Sequence, residues 1–238
     1  MHILILEGEH IEAEFRAKFG LGHKYEFIKI HNYTGEEYPD LVEIINKAAL
    51  KADVVFCFGD PSHYSNIYQF LPSVDYPVFI EMLSESLSDI HREAQLGPRQ
   101  GIFINFCGLP TLLNRRLLEV SLYHEGDRAK LAETCAALGT DYRVVADRVG
   151  LVTPRVICQI INEACFTVQE GTATMQDVDL GMKLGTSYPR GPFAWANAIG
   201  VERVYAVLEA LWQDTHDERY KVCPLLKRQA LRGEPFAV

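Results

Sequence analysis

The hydrophobic rhythm of the chain changes once, near residue 149, and that change decides which folds are open to it. Through residue 148, six short apolar runs recur: HILIL (2–6), YEFIKI (25–30), ADVVFCF (52–58), PVFIEM (77–82), GIFINF (101–106) and YRVVADR (142–148). Helix-like segments lie between most of them: HIEAEFRAKFG, DLVEIINKAALK, SHYSNIYQFL, SESLSDIHREAQ and DRAKLAETCAALG. Strand-length runs separated by helical patterns predict βαβ units, and so a mostly parallel sheet with helices on both faces. Ser84 or Ser86 offers an N-cap for one of those helices, and Gly139 a C-terminal stop for another.

From residue 150 onward the period is helical throughout. Val156, Ile157, Ile160, Ile161, Ala164 and Cys165 recur at helical spacing in a segment that closes on Gly171. A second helix is framed by a Thr174 cap and a Gly185 stop; PFAWANAIG, VERVYAVLEALWQDT and PLLKRQALRG complete the set. No strand is expected beyond residue 148. The reading is therefore an α/β domain over 1–148 and an all-α domain over 149–238, joined without a linker of any length.

Charge and cysteine usage narrow the function classes. A formal net charge of −9 over 238 residues argues against a general nucleic-acid surface, because phosphate contacts need clustered Lys and Arg. It leaves room for a small basic patch that takes one phosphorylated ligand. Six cysteines (Cys57, Cys107, Cys135, Cys158, Cys165 and Cys223) form no CxxC pair and mostly sit in apolar runs. They read as buried thiols rather than as a disulfide framework or a metal set. No apolar run reaches membrane-spanning length, and the first ten residues are too short and too acidic for a signal peptide, so a cytoplasmic protein is expected.

An α/β half raises the question of a dinucleotide loop, which needs glycines after the first strand so that backbone can approach a pyrophosphate at a helix N-terminus. The first turn here reads LEGEHIEAEF. Gly8 is its single glycine, and Glu7, Glu9, Glu12 and Glu14 surround it. Those carboxylates would repel a phosphate, and they suit the N-terminus of an ordinary helix.

The second half carries a more specific pattern. INEACFTVQEGTATMQDVDLGMKLGTSYPRGPFAWANAIGVERVYAVLEAL followed by CPLLKRQAL closely resembles the C-terminal helical domain of 3-hydroxyacyl-CoA dehydrogenases, including the 3-hydroxybutyryl-CoA members. The likeness covers about the last 90 residues, and the DVDLGMKLG and GPF blocks in that order carry it. The first half resembles the family's Rossmann domain more loosely, through KADVVFCF, SESLS and FCGLPTLLNRRLLEV, and is abbreviated between its second and third strands. The resemblance implies an NAD-binding first domain and a second domain that supplies a dimer interface and helps close an acyl-CoA cleft. It also implies a histidine base paired with a glutamate, with a serine and an asparagine holding the substrate.

Carried over residue by residue, that machinery is mostly replaced. The family glutamate matches Glu119 of LLEV, and the histidine that stands twelve residues earlier in the family falls on Cys107. His124, five residues past Glu119, is not brought into the role by a simple slip. The serine falls at Ser86 or its neighbour Glu85, and the asparagine falls on Pro154, with Arg155 retained. Each position also has a plain structural reading. Cys107 reads as a core thiol, Glu119 as a surface or ion-paired carboxylate, and Pro154 as a comfortable helix starter that lacks only an unneeded N–H. Pro189, Pro192, Phe193 and Trp195 read as core and turn, while Lys183, Arg190, Lys227 and Arg228 read as solvated.

The expectation is a cytoplasmic homodimer of this family with a possible acyl-CoA ligand. NAD is implied by the family but not retained, and no metal, nucleic-acid or membrane partner is expected. Two other readings stay open: a working dehydrogenase with a rebuilt site, and a dimeric interaction module that uses only the helical half.

Overall fold

A computed structural model describes residues 1–30, 38–58, 76–93 and 101–238. The segment 62–71, read above as a helix, lies outside the described residues. The chain divides into two compact units: residues 1–108 with 112–151, and residues 152–238 with Leu109–Thr111.

The first unit is an α/β layer structure. Its strands are β1 (His2–Leu6), β2 (Lys24–Ile28), β3 (Val54–Cys57), β4 (Pro77–Ile80), β5 (Ile102–Phe106), β6 (Leu117–Leu122) and β7 (Asp141–Val145). They form one sheet in the order β2-β1-β3-β4-β5-β6-β7. All pairs are parallel except β5 and β6, which run antiparallel. The helices are α1 (Glu12–Phe19), α2 (Tyr38–Ala49), α3 (Leu87–Glu93) and α4 (Arg128–Leu138).

Continuous apolar runs such as VVFC form the central strands because both faces of a parallel sheet are covered, so every side chain must tolerate burial. On one face Leu4, Leu6, Val55 and Ile80 pack with Leu41 and Ile45 of α2. On the other Ile3, Ile5, Phe56 and Phe106 pack with Phe15 and Phe19 of α1 and with Leu131 and Leu138 of α4.

One strand is a correction. Six apolar runs predicted six strands, yet β6 is a seventh. Its sequence LLEVSL sets Glu119 and Ser121 on a buried face, Glu119 at 6% and Ser121 at 0% exposure, so the run carries no continuous apolar signal.

The second unit contains α5 (Thr153–Gln169), α6 (Met175–Gly185), α7 (Pro192–Ile199), α8 (Val201–Thr215) and α9 (Pro224–Arg232), with no strand among its described residues. The motif blocks quoted above have a structural reason. Thr174 caps α6, its hydroxyl accepting from the Asp177 amide while Asp177 reaches back to the Thr174 amide. Two residues later Asp179 is buried and caps α7, accepting from the Phe193 amide at 2.8 Å and the Ala194 amide at 2.9 Å. Gly191 is required beside it, because a Cβ there would overlap the Asp179 side chain and backbone. Asn162 ties α5 to the start of α9, accepting from the Cys223 amide at 2.8 Å and donating to the Lys221 carbonyl at 3.0 Å.

Candidate functional site

The antiparallel pairing of β5 and β6 brings two of the sequence-derived site residues together. Ile104 faces Leu122, Asn105 faces Ser121 and Phe106 faces Val120. Continuing that register sets Cys107 opposite Glu119, and the Cys107 amide donates to the Glu119 carbonyl at 3.1 Å. Opposed residues share a face, as do residues two apart, so Asn105, Cys107, Glu119 and Ser121 form one polar strip on an otherwise apolar sheet. Cys107 is fully buried. Reactive thiolates sit in partly exposed, electropositive places, and this one does not.

The strip is completed by groups that sequence reasoning did not single out. Asn105 spans the sheet to the segment after β4, accepting from the Met82 amide at 3.0 Å and donating to the Met82 carbonyl at 2.8 Å. Asp147, just past β7, accepts from the Leu87 and Ser88 amides at 3.0 Å each, and from the hydroxyls of Ser88 and Ser121 at 3.0 and 3.1 Å. A carboxylate at the N-terminus of α3 satisfies amides that have no partner inside the helix. Ser86 belongs to the same helix start. Its hydroxyl donates to the Asp89 carboxylate at 2.7 Å and accepts from the Asp89 amide at 3.1 Å, which makes it the N-cap of α3. Of the two serines considered, Ser86 is the cap.

One turn further along α3, His91 stacks on Tyr123 with ring centroids 3.6 Å apart and 12° between planes, its Nδ1 bonded to the Leu87 carbonyl at 2.9 Å. Burial holds the His91 pKa below its usual value, and the charge of His124 adds to this. The Leu87 carbonyl and Asp147 partly oppose the shift.

At the carboxyl ends of β1 and β3, open α/β sheets place their nucleotide crevice. Among the described residues, Gly8, Glu7 and Phe58 lie at these ends. Gly8 follows β1 in a conformation open to any residue, yet a Cβ on it would collide with Ile5 and lie 3.2 Å from the Phe58 ring. A Cβ on Gly108, after β5, would lie 2.7 Å from the same ring. Phe58, at the end of β3, is therefore held between two glycines. It has no exposed surface, and its edge contacts Phe106 and Phe15 with centroids 5.3 and 6.0 Å away. His10 closes over it at 5.9 Å. Glu7 adds a carboxylate across the same ends: its backbone lies at φ 58°, its amide donates to the Ile28 carbonyl at 3.0 Å, and its Oε1 accepts from the Ile30 amide. A pyrophosphate needs open backbone amides and positive surroundings, and Gly8 is flanked by a buried ring and Glu7.

Pro154 lies in the helical unit. The helix starts at Thr153, so Pro154 is its second residue rather than its first, and its absent N–H still lacks an intrahelical partner. It is buried, and no side-chain amide stands at that position. Arg155 beside it donates to the Tyr220 hydroxyl at 2.7 Å and lies over that ring. Lys183, Arg190, Lys227 and Arg228 are exposed, and Trp195 donates through Nε1 to the Thr111 hydroxyl at 3.0 Å.

All six cysteines are buried and unbridged. Burial raises the pKa of Cys57, Cys165 and Cys223, and that of Cys135 to about 12. Among the described residues no group of three or more His, Cys, Asp or Glu could hold a metal ion, and no helix is long and apolar enough to cross a membrane.

Comparison with known proteins adds the following. Residues 150–235 match the family model of the 3-hydroxyacyl-CoA dehydrogenase C-terminal domain. The 3-hydroxyadipyl-CoA dehydrogenase of Escherichia coli is 42% identical over 87 residues, 37% of this chain and 18% of that protein. The 3-hydroxybutyryl-CoA dehydrogenase of Bradyrhizobium diazoefficiens is 33% identical over 101 residues, 42% of this chain and 34% of that protein. The matched region is thus well under two thirds of either relative. The crystal structure of Mycobacterium tuberculosis FadB2 superposes with a TM-score of 0.75, covering 99% of this chain and 95% of that one at 18% identity. At that identity the likeness establishes the fold, a Rossmann-type domain followed by a helical one.

Proposed function

We propose that the chain is a member of the 3-hydroxyacyl-CoA dehydrogenase family that works in acyl-CoA metabolism with its NAD-dependent turnover lost or much reduced, keeping an acyl-CoA-binding or regulatory role. The observation that carries this reading is the ring of Phe58, buried between Gly8 and Gly108 where a dinucleotide would need open backbone. The residues present there do not fit NAD. Glu7 and Glu9 bring negative charge to a place that would have to accept a pyrophosphate.

The positions of the family's reacting and binding groups support the same conclusion. The base position holds Cys107, a fully buried thiol. Ser86 is engaged in capping α3, and Pro154 offers no amide to a substrate. General-base chemistry at neutral pH needs a titratable group matched to the task, and a histidine is the usual one.

The protein acts as a homodimer in the cytoplasm on this reading. The helical unit exposes Val152, Val156, Leu180 and Leu184, apolar side chains that a partner copy would cover. A second reading, an active dehydrogenase with a rebuilt site, is favoured by one observation: Glu119 is kept, buried, on β6 beside residue 107.

The test is to mix the purified protein with acetoacetyl-CoA and NADH, following acyl-CoA binding by calorimetry and NADH consumption by absorbance. Acetoacetyl-CoA binding without consumption of NADH is expected. Steady turnover establishes the rebuilt site instead, and binding of neither ligand leaves the dimeric helical unit as an interaction module.

A further inference from the structure

A cavity of about 470 Å³ lies within the α/β unit, apart from the polar strip of β5 and β6. It is lined by Lys18 at the end of α1, Asn114, Arg115 and Arg116 in the turn before β6, and the α4–β7 connection from Cys135 to Asp141. Of the nine lining residues three are cationic and one, Asp141, is anionic. In a chain with a net charge of −9, this is a local reversal of sign.

The turn that presents these cations is held in place from α1. Glu14 accepts from the Leu113 amide at 3.0 Å and the Asn114 amide at 2.8 Å. One helical turn later, Lys18 donates through Nζ to the carbonyls of Arg115 and Arg116. Two grips at i and i+4 of one helix hold the backbone of four consecutive residues, from which Arg115 and Arg116 extend. Arg116 reaches Asp141 at 3.4 Å, but its side chain is 93% exposed and the pair is weak. A second cavity adjoins the first, sharing Ala136, Thr140 and Asp141, and adds Arg128 and Arg143.

Burial holds the Lys18 pKa below its usual value, and the neighbouring Arg115 charge lowers it further, with Asp141 and Cys135 opposing. A cation cluster in a partly enclosed, low-dielectric cavity focuses field on whatever enters it. Guanidinium forks suit phosphoryl oxygens, and an amide such as that of Asn114 can share the load. The Cys135 thiol in its wall is no ready nucleophile, since burial pushes it up to about 12.

We propose that this cavity binds a phosphoryl group, free or carried by a small molecule, through Arg115, Arg116, Asn114 and Lys18. The assignment does not depend on the acyl-CoA reading, because every residue in it belongs to the α/β unit and none is a family site residue.

The probes are inorganic phosphate and pyrophosphate, with citrate as a non-phosphoryl control. Each is titrated calorimetrically into the full chain at low ionic strength. Saturable one-site binding of pyrophosphate is expected, lost at high salt and weakened about tenfold or more in Arg116→Ser. Arg116 is almost fully exposed, so that variant keeps its fold, and an unchanged melting temperature verifies this. A rise in the Lys18 pKa on binding, followed by NMR of its Nζ, is the second readout. Phosphate saturation without pyrophosphate saturation points to the free ion, and saturation by both to a carried phosphoryl group. No saturation by either phosphate or pyrophosphate at millimolar concentration, unchanged affinity in both Arg116→Ser and Lys18→Met, or citrate binding as tight as the phosphoryl probes would overturn the assignment.

Discussion

Likeness to known proteins takes a different form in the helical unit and in the α/β unit. The family model matches residues 150–235, whereas the fold likeness to a solved structure extends over 99% of the chain at 18% identity. In the helical unit the shared blocks are structural. Asp179 caps α7, Gly191 leaves it room, and Asn162 joins α5 to α9. A change at such a position would leave helix amides or a close backbone contact unsatisfied. In the α/β unit the sheet needs only apolar strands of the right length, and many sequences supply those. Positions at the strand ends can then serve as packing, as Phe58 between its two glycines illustrates.

The sharpest way to break this comparison is to remove that ring. Phe58→Ala is expected to destabilise the α/β unit by about 3–5 kcal/mol, as for other fully buried aromatics. Denaturant unfolding measures it. A loss under 1 kcal/mol would show that Phe58 is a movable gate and not core.

The two capping carboxylates come next. Asp147→Ala and Asp179→Ala each strand two helix amides, and each is expected to cost about 1.5–3 kcal/mol. If the helical unit is the one under structural constraint, a Cβ at Gly191 should be tolerated no better, and Gly191→Ala should lower the melting temperature of that unit. Thermal unfolding of the three variants orders them.

Cys107→His restores the family's residue type opposite Glu119. Overpacking a closed site is expected to cost about 1–3 kcal/mol. NADH consumption with acetoacetyl-CoA should stay at background, because the crevice beside Phe58 is still filled.

A smaller effect is expected from pH. His91 has a folded-state pKa below its unfolded value of 6.5, so the unfolded chain binds more protons near pH 6. Its contribution is fully present above pH 6.5 and is lost as pH falls toward the lower folded value. Melting temperatures of the native chain and of His91→Gln, taken from pH 7.5 down to pH 5, should converge only at the acid end.

Arg116→Ser closes the series. Its exposed pair with Asp141 contributes within about 0.5 kcal/mol, so stability should not move.

Most of the fold was legible in the sequence because it rests on periodicity. Six of the seven strands and the change to helices near residue 149 follow from spacing alone, as do the caps at Ser86 and Thr174, since a capping residue and its partner lie three apart. What was not legible depends on distant partners. β6 escaped because its buried face carries Glu119 and Ser121, whose polar partners only the folded sheet supplies. Asp147 meets Leu87 and Ser88 across some sixty residues, a pairing with no local signature. That Gly8 is the single glycine of the first turn and that residue 107 is a cysteine could be read from sequence, but the packing of Phe58 between Gly8 and Gly108 could not. Nothing in ADVVFCF marks Phe58 as different from Phe56.

The central claim is that the α/β unit has turned its dinucleotide crevice into core. Titration of NADH into the unmodified protein, followed by nicotinamide fluorescence, tests it most directly. No saturable change is expected even at millimolar NADH. Saturable binding in the micromolar range would contradict the account, since Phe58 would then have to leave the core to admit it.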